Sequence, residues 1–187
     1  MAVRRGFKTQ ANQIAREVRG ELGLGPTDPL DPWKLAAFLE IPVIGLTDLA
    51  AAIPDAVRHF QQIEPSAFSA ATVFAGTRRI IVHNDVHSPA RQASNVTHEG
   101  AHGLLLHEPT PAFGPHGCRI WRDEVEEEAQ WLAGVLLITE ETAVAMARRS
   151  IPIAEAASRY GVSEQMMRYR LNITGAYKRV TPVADCP

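Results

Sequence analysis

Apolar residues recur at helical spacing near the start of the chain, where an amphipathic helix is predicted for residues 8–22. Its apolar face is made of Ala11, Ile14, Ala15, Val18 and Leu22. A second helix is predicted for residues 33–40, because Asp31 is a suitable N-cap and Pro32 suits the first helical position. The apolar run IPVIGL that follows predicts a short strand.

The pattern then changes from helical to strand-like spacing. The runs SAFSAATVFAG and RRIIVHN are separated by Gly76 and Thr77, which predicts a β-hairpin within residues 66–83. Helical spacing returns after Ser88 and Pro89, an N-cap and first-turn pair, and should continue to about Leu106. Residues 107–122 are rich in proline and glycine and are predicted to form a loop, followed by helices over 123–138 and 140–149.

The segment 151–180 predicts a helix, a glycine-containing turn and another helix. Two interpretations compete for this helix-turn-helix-like hairpin. It could bind DNA through Arg168 and Arg170, or it could cap the core with Met166, Met167, Tyr169 and Leu171 partly buried. The net charge of −2 and pI near 6.4 favour the capping interpretation, so we do not expect direct DNA binding.

Taken together, the elements predict a compact α+β fold in a single domain over residues 1–187. A small twisted sheet built around the hairpin should lie between N-terminal helices and a helical C-terminal half. The chain has only two cysteines, Cys118 and Cys186, and its longest apolar run, near Trp131 to Ile138, is too short to span a membrane. We therefore expect a cytoplasmic location and no membrane partner.

The pentad His98-Glu99-Gly100-Ala101-His102 is the main candidate for chemistry. Residues i and i+4 share a helix face, so His98 and His102 can present two imidazoles to one zinc ion. Glu99 lies a quarter-turn away, where its carboxylate can act as a general base on the water of a zinc site. The competing interpretation is a solvated polar stripe on an ordinary helix.

A catalytic zinc site needs a third protein ligand. The downstream candidates are His107, His116, Cys118 and the acidic run Asp123 to Glu128, although His107 should point elsewhere on its helix. Helical projection places Glu126 on the inward flank, and Glu124, Glu127 and Glu128 further outward. We favour Glu126 as the ligand over its alternative role in a capping box begun by Asp123. Gln130, one turn on, is expected to hydrogen-bond a ligating histidine.

The order of these motifs resembles the ImmA/IrrE family of metallo-endopeptidases over residues 8 to about 175. The hairpin ending IIVHND is followed by HSPARQASNVTHEGAHGLLLHE and then by EVEEEAQWLAGVLLIT. The residues that fit the family pattern are Arg91, His98, Glu99, His102, Glu126, Ala129, Leu136 and Leu137. The resemblance implies a gluzincin-like, zincin-type Zn²⁺ peptidase with Glu99 as base and Glu126 as third ligand.

The resemblance also implies a protein substrate, a helix-turn-helix transcriptional repressor in a stress-response or mobile-element circuit. The chain departs from the family pattern at Ser94, Ala101, Gln130 and Ile138-Thr139. These departures leave the proposed ligands and base in place. They keep open the alternative of a catalytically weak metal-binding regulatory module that binds a partner, or DNA, without cleaving it.

Overall fold

The structure is a computed structural model that describes residues 3–108 and 123–180. The helices are α1 Phe7–Glu21, α2 Pro32–Phe38, α3 Pro54–Arg58, α4 Pro89–Leu104, α5 Asp123–Leu137, α6 Glu140–Arg148, α7 Ile153–Tyr160, α8 Glu164–Ile173 and α9 Ala176–Arg179. The strands are β1 Val43–Gly45, β2 Ala70–Ala75 and β3 Arg78–His83. The segment that joins β1 to β2 also contains 3-10 turns at Leu46–Leu49 and Pro65–Ala67 and a π-helical turn at His59–Ile63.

The strands form one small mixed sheet in the order β1-β3-β2. The central strand β3 pairs in parallel with β1 and in antiparallel fashion with β2. Gly76, at φ +66°, forms the turn between β2 and β3 in a conformation that side chains disfavour, and this confirms the predicted hairpin. Helix α4 packs against β2 and β3, and the described residues combine this small sheet with many helices, so the predicted α+β class is also confirmed.

Helix α5 runs through the centre of the core. Every residue from Trp131 to Leu137 is buried, because α5 packs against α1 on one side and α4 on another. At the start of α2, the Asp31 carboxylate accepts hydrogen bonds from the backbone N–H groups of Trp33 and Lys34, as its N-cap position predicts. None of the described helices is long and apolar enough to cross a membrane.

The C-terminal hairpin packs against the rest of the protein. Helices α7 and α8 bury Ala157, Tyr160, Met167 and Leu171 in a second apolar cluster shared with α6. Tyr169 is more exposed than expected, at 39%. The hairpin therefore contributes a large apolar face to the core, as the capping interpretation predicts.

Two buried arginines bind the carboxyl end of α5. Arg19 donates to Leu136 O at 2.9 Å, and Arg170 donates to Ile138 O at 2.9 Å. Each is only 2% exposed, and burial lowers the pKa of Arg170 to about 10. Cations at a helix C-terminus interact favourably with its last carbonyl groups, so these side chains hold the end of α5 opposite the candidate site.

Candidate metal centre

Helices α4 and α5 bring three candidate ligands together. His98 Nε2 and His102 Nε2 lie 3.1 Å apart, one turn from each other on α4. Glu126 Oε2, in the first turns of α5, lies 3.2 Å from His98 Nε2 and 3.7 Å from His102 Nε2. Among the described residues, these three form the group of His, Cys, Asp and Glu side chains whose ligand atoms converge closely enough to hold a metal ion.

The spacing of these atoms fits a tetrahedral metal. Ligands about 2.0–2.1 Å from a zinc ion in tetrahedral geometry are about 3.3 Å from one another. The observed separations of 3.1, 3.2 and 3.7 Å bracket that value. Two histidines and a glutamate are also a donor set of catalytic zinc sites, which keep a fourth position for water or substrate.

The site favours an ionised glutamate. Hydrogen bonding from His102 and His98 outweighs burial and lowers the pKa of Glu126 far below its ordinary value. The carboxylate is therefore anionic at neutral pH, and it can neutralise part of the charge of a divalent cation. The side chains of His98, His102 and Glu126 are 20%, 14% and 32% exposed, so the group is sheltered but reachable from solvent.

Glu99 lies outside the converging group. Its Oε2 accepts a hydrogen bond of 2.6 Å from the hydroxyl of Thr72 on β2. This contact fixes the carboxylate between α4 and the sheet. Glu99 follows His98 directly in the sequence, but it is not one of the three side chains whose ligand atoms converge.

Strand β2 lies at the edge of the sheet, next to Glu99. Asn84 N–H donates to Ser69 O, and in an antiparallel ladder such bonded pairs alternate with non-bonded ones. Ala70, Thr72 and Phe74 therefore turn their backbone N–H and C=O groups away from β3. Among the described residues no strand pairs with this edge, so an extended chain can bind there.

Two side chains that the sequence analysis placed away from the site lie next to it. His107 Nδ1 lies 2.9 Å from His102 Nδ1, and Glu128 Oε2 lies 3.8 Å from His107 Nε2. The expectations that His107 points elsewhere and that Glu128 points outward are wrong. Glu128 is 15% exposed, less than Glu126, because Arg4 and His107 cover it.

Helix α4 ends earlier than predicted, and this explains the position of His107. Leu106 takes a left-handed conformation at φ +52°, and the chain turns back on itself there. Burial and the neighbouring His102 lower the pKa of His107, so its ring is neutral at pH 7. Two histidines five residues apart were the only signal of this contact in the sequence.

The other residues that the sequence suggested for the site do not join the three converging ligands in the described part of the chain. The hydrogen bonds of the described residues include none from Gln130 to His98 or His102, and His107 occupies the Nδ1 side of His102 instead. His116 and Cys118 lie outside the described residues. His83 is buried against Trp33 at the end of β3 and does not belong to the converging group.

A paired-histidine helix, a glutamate from the next helix and an adjacent carboxylate make this a site of the metallopeptidase type. The family comparison agrees: residues 55–172 match the Peptidase_M78 model, described as the IrrE N-terminal-like domain. The chain belongs to that family, and the predicted resemblance is confirmed. No curated protein and no solved structure matches the chain.

Proposed function

We propose that the protein is a zinc-dependent endopeptidase that cleaves a partner protein. The observation that carries the proposal is the convergence of His98, His102 and Glu126 beside a carboxylate that does not join them. A structural ion pair would need no separate carboxylate held in place by a hydroxyl. A hydrolytic site needs one, as a base.

Each residue has a distinct role in this proposal. His98, His102 and Glu126 hold the zinc ion, which when bound supplies a Lewis acid and lowers the pKa of a water molecule. Glu99 accepts the proton of the attacking water and delivers it to the departing amine. Thr72 occupies one oxygen of Glu99, so the other oxygen remains available for this transfer.

The open edge of β2 supports an extended peptide as substrate. An added strand would pair with the backbone of Thr72 and Phe74, which places its peptide bonds alongside Glu99. We infer that the substrate is a helix-turn-helix transcriptional repressor, and the family resemblance supports this inference. Arg170, one of the two arginines of the alternative DNA-binding surface, is buried, which favours protein over DNA as the partner.

The test is cleavage of a purified helix-turn-helix transcriptional repressor from the same organism. The zinc-loaded protein should cut it at a defined position, visible as two fragments by mass spectrometry. Glu99→Gln should bind zinc and repressor normally but cleave about 10²–10⁴-fold more slowly. Glu124→Gln is the matched control, because Glu124 is exposed on α5 and should leave cleavage unchanged.

One result would replace this proposal with the regulatory-module alternative. If the wild-type protein bound zinc and the repressor but released no fragments, cleavage would not be the function. The same conclusion would follow if Glu99→Gln relieved repression in cells as well as the wild type does.

A further inference from the structure

The end of α4 folds His107 back onto a metal ligand. Leu106 N–H donates to Gly103 O and His107 N–H donates to His102 O, a pair of bonds that forms a Schellman motif. This motif usually has glycine at its left-handed position, but here the position is occupied by Leu106, whose side chain is 80% exposed. The unfavourable conformation is maintained by contacts that His107 makes after the turn.

Three contacts hold His107 in place. Its backbone N–H binds His102 O, and its own carbonyl accepts a hydrogen bond of 3.0 Å from Arg79 on β3. Its ring lies between His102 and Glu128, and its side chain is only 12% exposed. The ring is therefore fixed by the backbone, by the sheet and by α5.

The hydrogen-bond chemistry of the two rings allows one arrangement when a metal is bound. His102 Nε2 faces His98 and Glu126, so its lone pair points to the metal and its single proton lies on Nδ1. That N–H then donates to His107 Nδ1, 2.9 Å away. Because His107 Nδ1 accepts this bond, the ring proton of His107 lies on Nε2, which faces the Glu128 carboxylate.

We propose that His107 is a positioning residue, whose Nδ1 accepts a hydrogen bond from the Nδ1–H of His102 and so directs the Nε2 lone pair of His102 at the metal. Glu128 supports this orientation from the far side of the His107 ring, and Arg4 Nε in turn binds Glu128 at 2.6 Å. The inference rests on the proposed zinc site. It adds His107 and Glu128 to the zinc site as residues outside the ligands. His107 takes the role of hydrogen-bond acceptor that a carboxylate or carbonyl group usually fills.

The two histidine ligands differ in the hydrogen-bond partners of their Nδ1 atoms. His98 Nδ1 is buried and has no hydrogen-bond partner among the described residues. Within residues 3–108 and 123–180, a side chain outside the ligand group contacts Nδ1 of His102 but not Nδ1 of His98. Loss of His107 should therefore affect the metal through His102 alone.

Two variants of nearly equal shape test the proposal. Asparagine at this position keeps an acceptor atom where His107 has Nδ1, whereas leucine has the same outline and no acceptor. Zinc affinity is measured by competition with a chromophoric chelator, so no substrate is needed. His107→Leu should bind zinc about 10–100-fold more weakly than the wild type, whereas His107→Asn should bind it nearly as tightly.

A spectroscopic measurement accompanies the affinities. In ¹⁵N-labelled zinc-loaded wild type, the ring nitrogens of His102 should show a proton on Nδ1 that is protected from exchange with solvent. The protection should persist in His107→Asn and disappear in His107→Leu. A purely space-filling role would predict the same protection in both variants.

The outcomes separate this inference from the proposed function. If the wild type binds zinc and both variants bind it equally well, or lose it equally, His107 does not act as an acceptor and the inference is overturned. If the wild-type protein binds no zinc, the proposed function fails and this inference fails with it.

Discussion

The hydroxyl of Thr72 donates a 2.6 Å hydrogen bond to Glu99 Oε2. It joins the edge strand of the sheet to the carboxylate that we propose as the general base. Because Thr72 also directs its backbone polar groups to the open edge, one residue contacts the base through its side chain and offers its backbone to an added strand. Binding of an extended substrate and orientation of Glu99 are thus coupled at a single position.

Replacing Thr72 with valine should slow cleavage without loss of metal. Thr72→Val keeps the branched shape and removes the donor, and a hydrogen bond to a charged group contributes about 1.5–3 kcal/mol. We expect kcat to fall by about tenfold or more, with an unchanged zinc affinity. Thr9→Val, at an exposed position of α1, is the control. A variant with wild-type kcat would show that Glu99 does not need this contact.

Replacing Glu126 should remove the metal and leave the protein folded. Glu126→Ala deletes the anionic ligand, so added zinc should no longer raise the melting temperature. For the wild type, zinc at 100 times its dissociation constant should stabilise the fold by about 2.7 kcal/mol, and chelation should reverse the effect. Glu127→Ala, next to it on α5, should retain the zinc-dependent shift. Retention of the shift by Glu126→Ala would exclude Glu126 as a ligand.

A proline at Phe74 should weaken substrate binding. The N–H of Phe74 points to the open edge, so Phe74→Pro removes a group offered to the substrate without breaking a bond to β3. We expect a higher KM in peptide cleavage and an unchanged zinc affinity. Phe74→Ala keeps the N–H and controls for loss of the ring, which is 39% exposed. Equal KM values for the two variants would argue against strand addition at β2.

The two arginines of α8 should differ sharply in their effect on stability. Arg170→Ala leaves a space beside Gly134 and the Ile138 carbonyl without its donor, which should cost about 2–4 kcal/mol. Arg168→Ala breaks only an exposed ion pair with Glu164 and should change stability by less than about 0.5 kcal/mol. Urea denaturation measures both. Similar values for the two would mean that Arg170 is not part of the core.

Fluorescence anisotropy with labelled duplexes would show whether this hairpin binds DNA. We expect only weak, salt-sensitive association with no sequence preference, because Arg170 is 2% exposed and Arg168 is paired with Glu164. Nanomolar, sequence-specific binding that Arg168→Ala abolishes would contradict this expectation.

The parts of the fold that follow from local pattern were predictable. The hairpin, the Asp31 cap and the spacing of His98 and His102 each depend on residues close in sequence. The role of Glu126 as a ligand could also be predicted, because a carboxylate on the inward flank of a helix needs a partner. These features depend on hydrophobic periodicity and on the residue preferences of turns, both of which can be recognised in a single sequence.

The outer part of the site was not predictable from the same rules. Helical projection puts Glu128 toward solvent, but Arg4, more than a hundred positions earlier, covers it. The position of His107 depends on a left-handed Leu106, where the sequence has no glycine to mark the end of the helix. Arg170 resembled a surface cation, and only the packing of α8 against α5 reveals that it is buried. Each of these outcomes depends on tertiary contacts.

The arginine pair at the end of α5 also bears on the order in which the protein opens. The amides of residues 132–137 lie in a buried helix whose final carbonyls are held by Arg19 and Arg170, so they should exchange with deuterium only through global unfolding. The turn at Leu106 is exposed and strained, and its amides should exchange through small local fluctuations. Glu126 lies in the first turn of α5, away from those slowly exchanging amides, and His102 lies about one turn from the strained turn at Leu106. Exchange of a bound metal with solvent should therefore begin at these two helix ends, on a timescale independent of the lifetime of the fold.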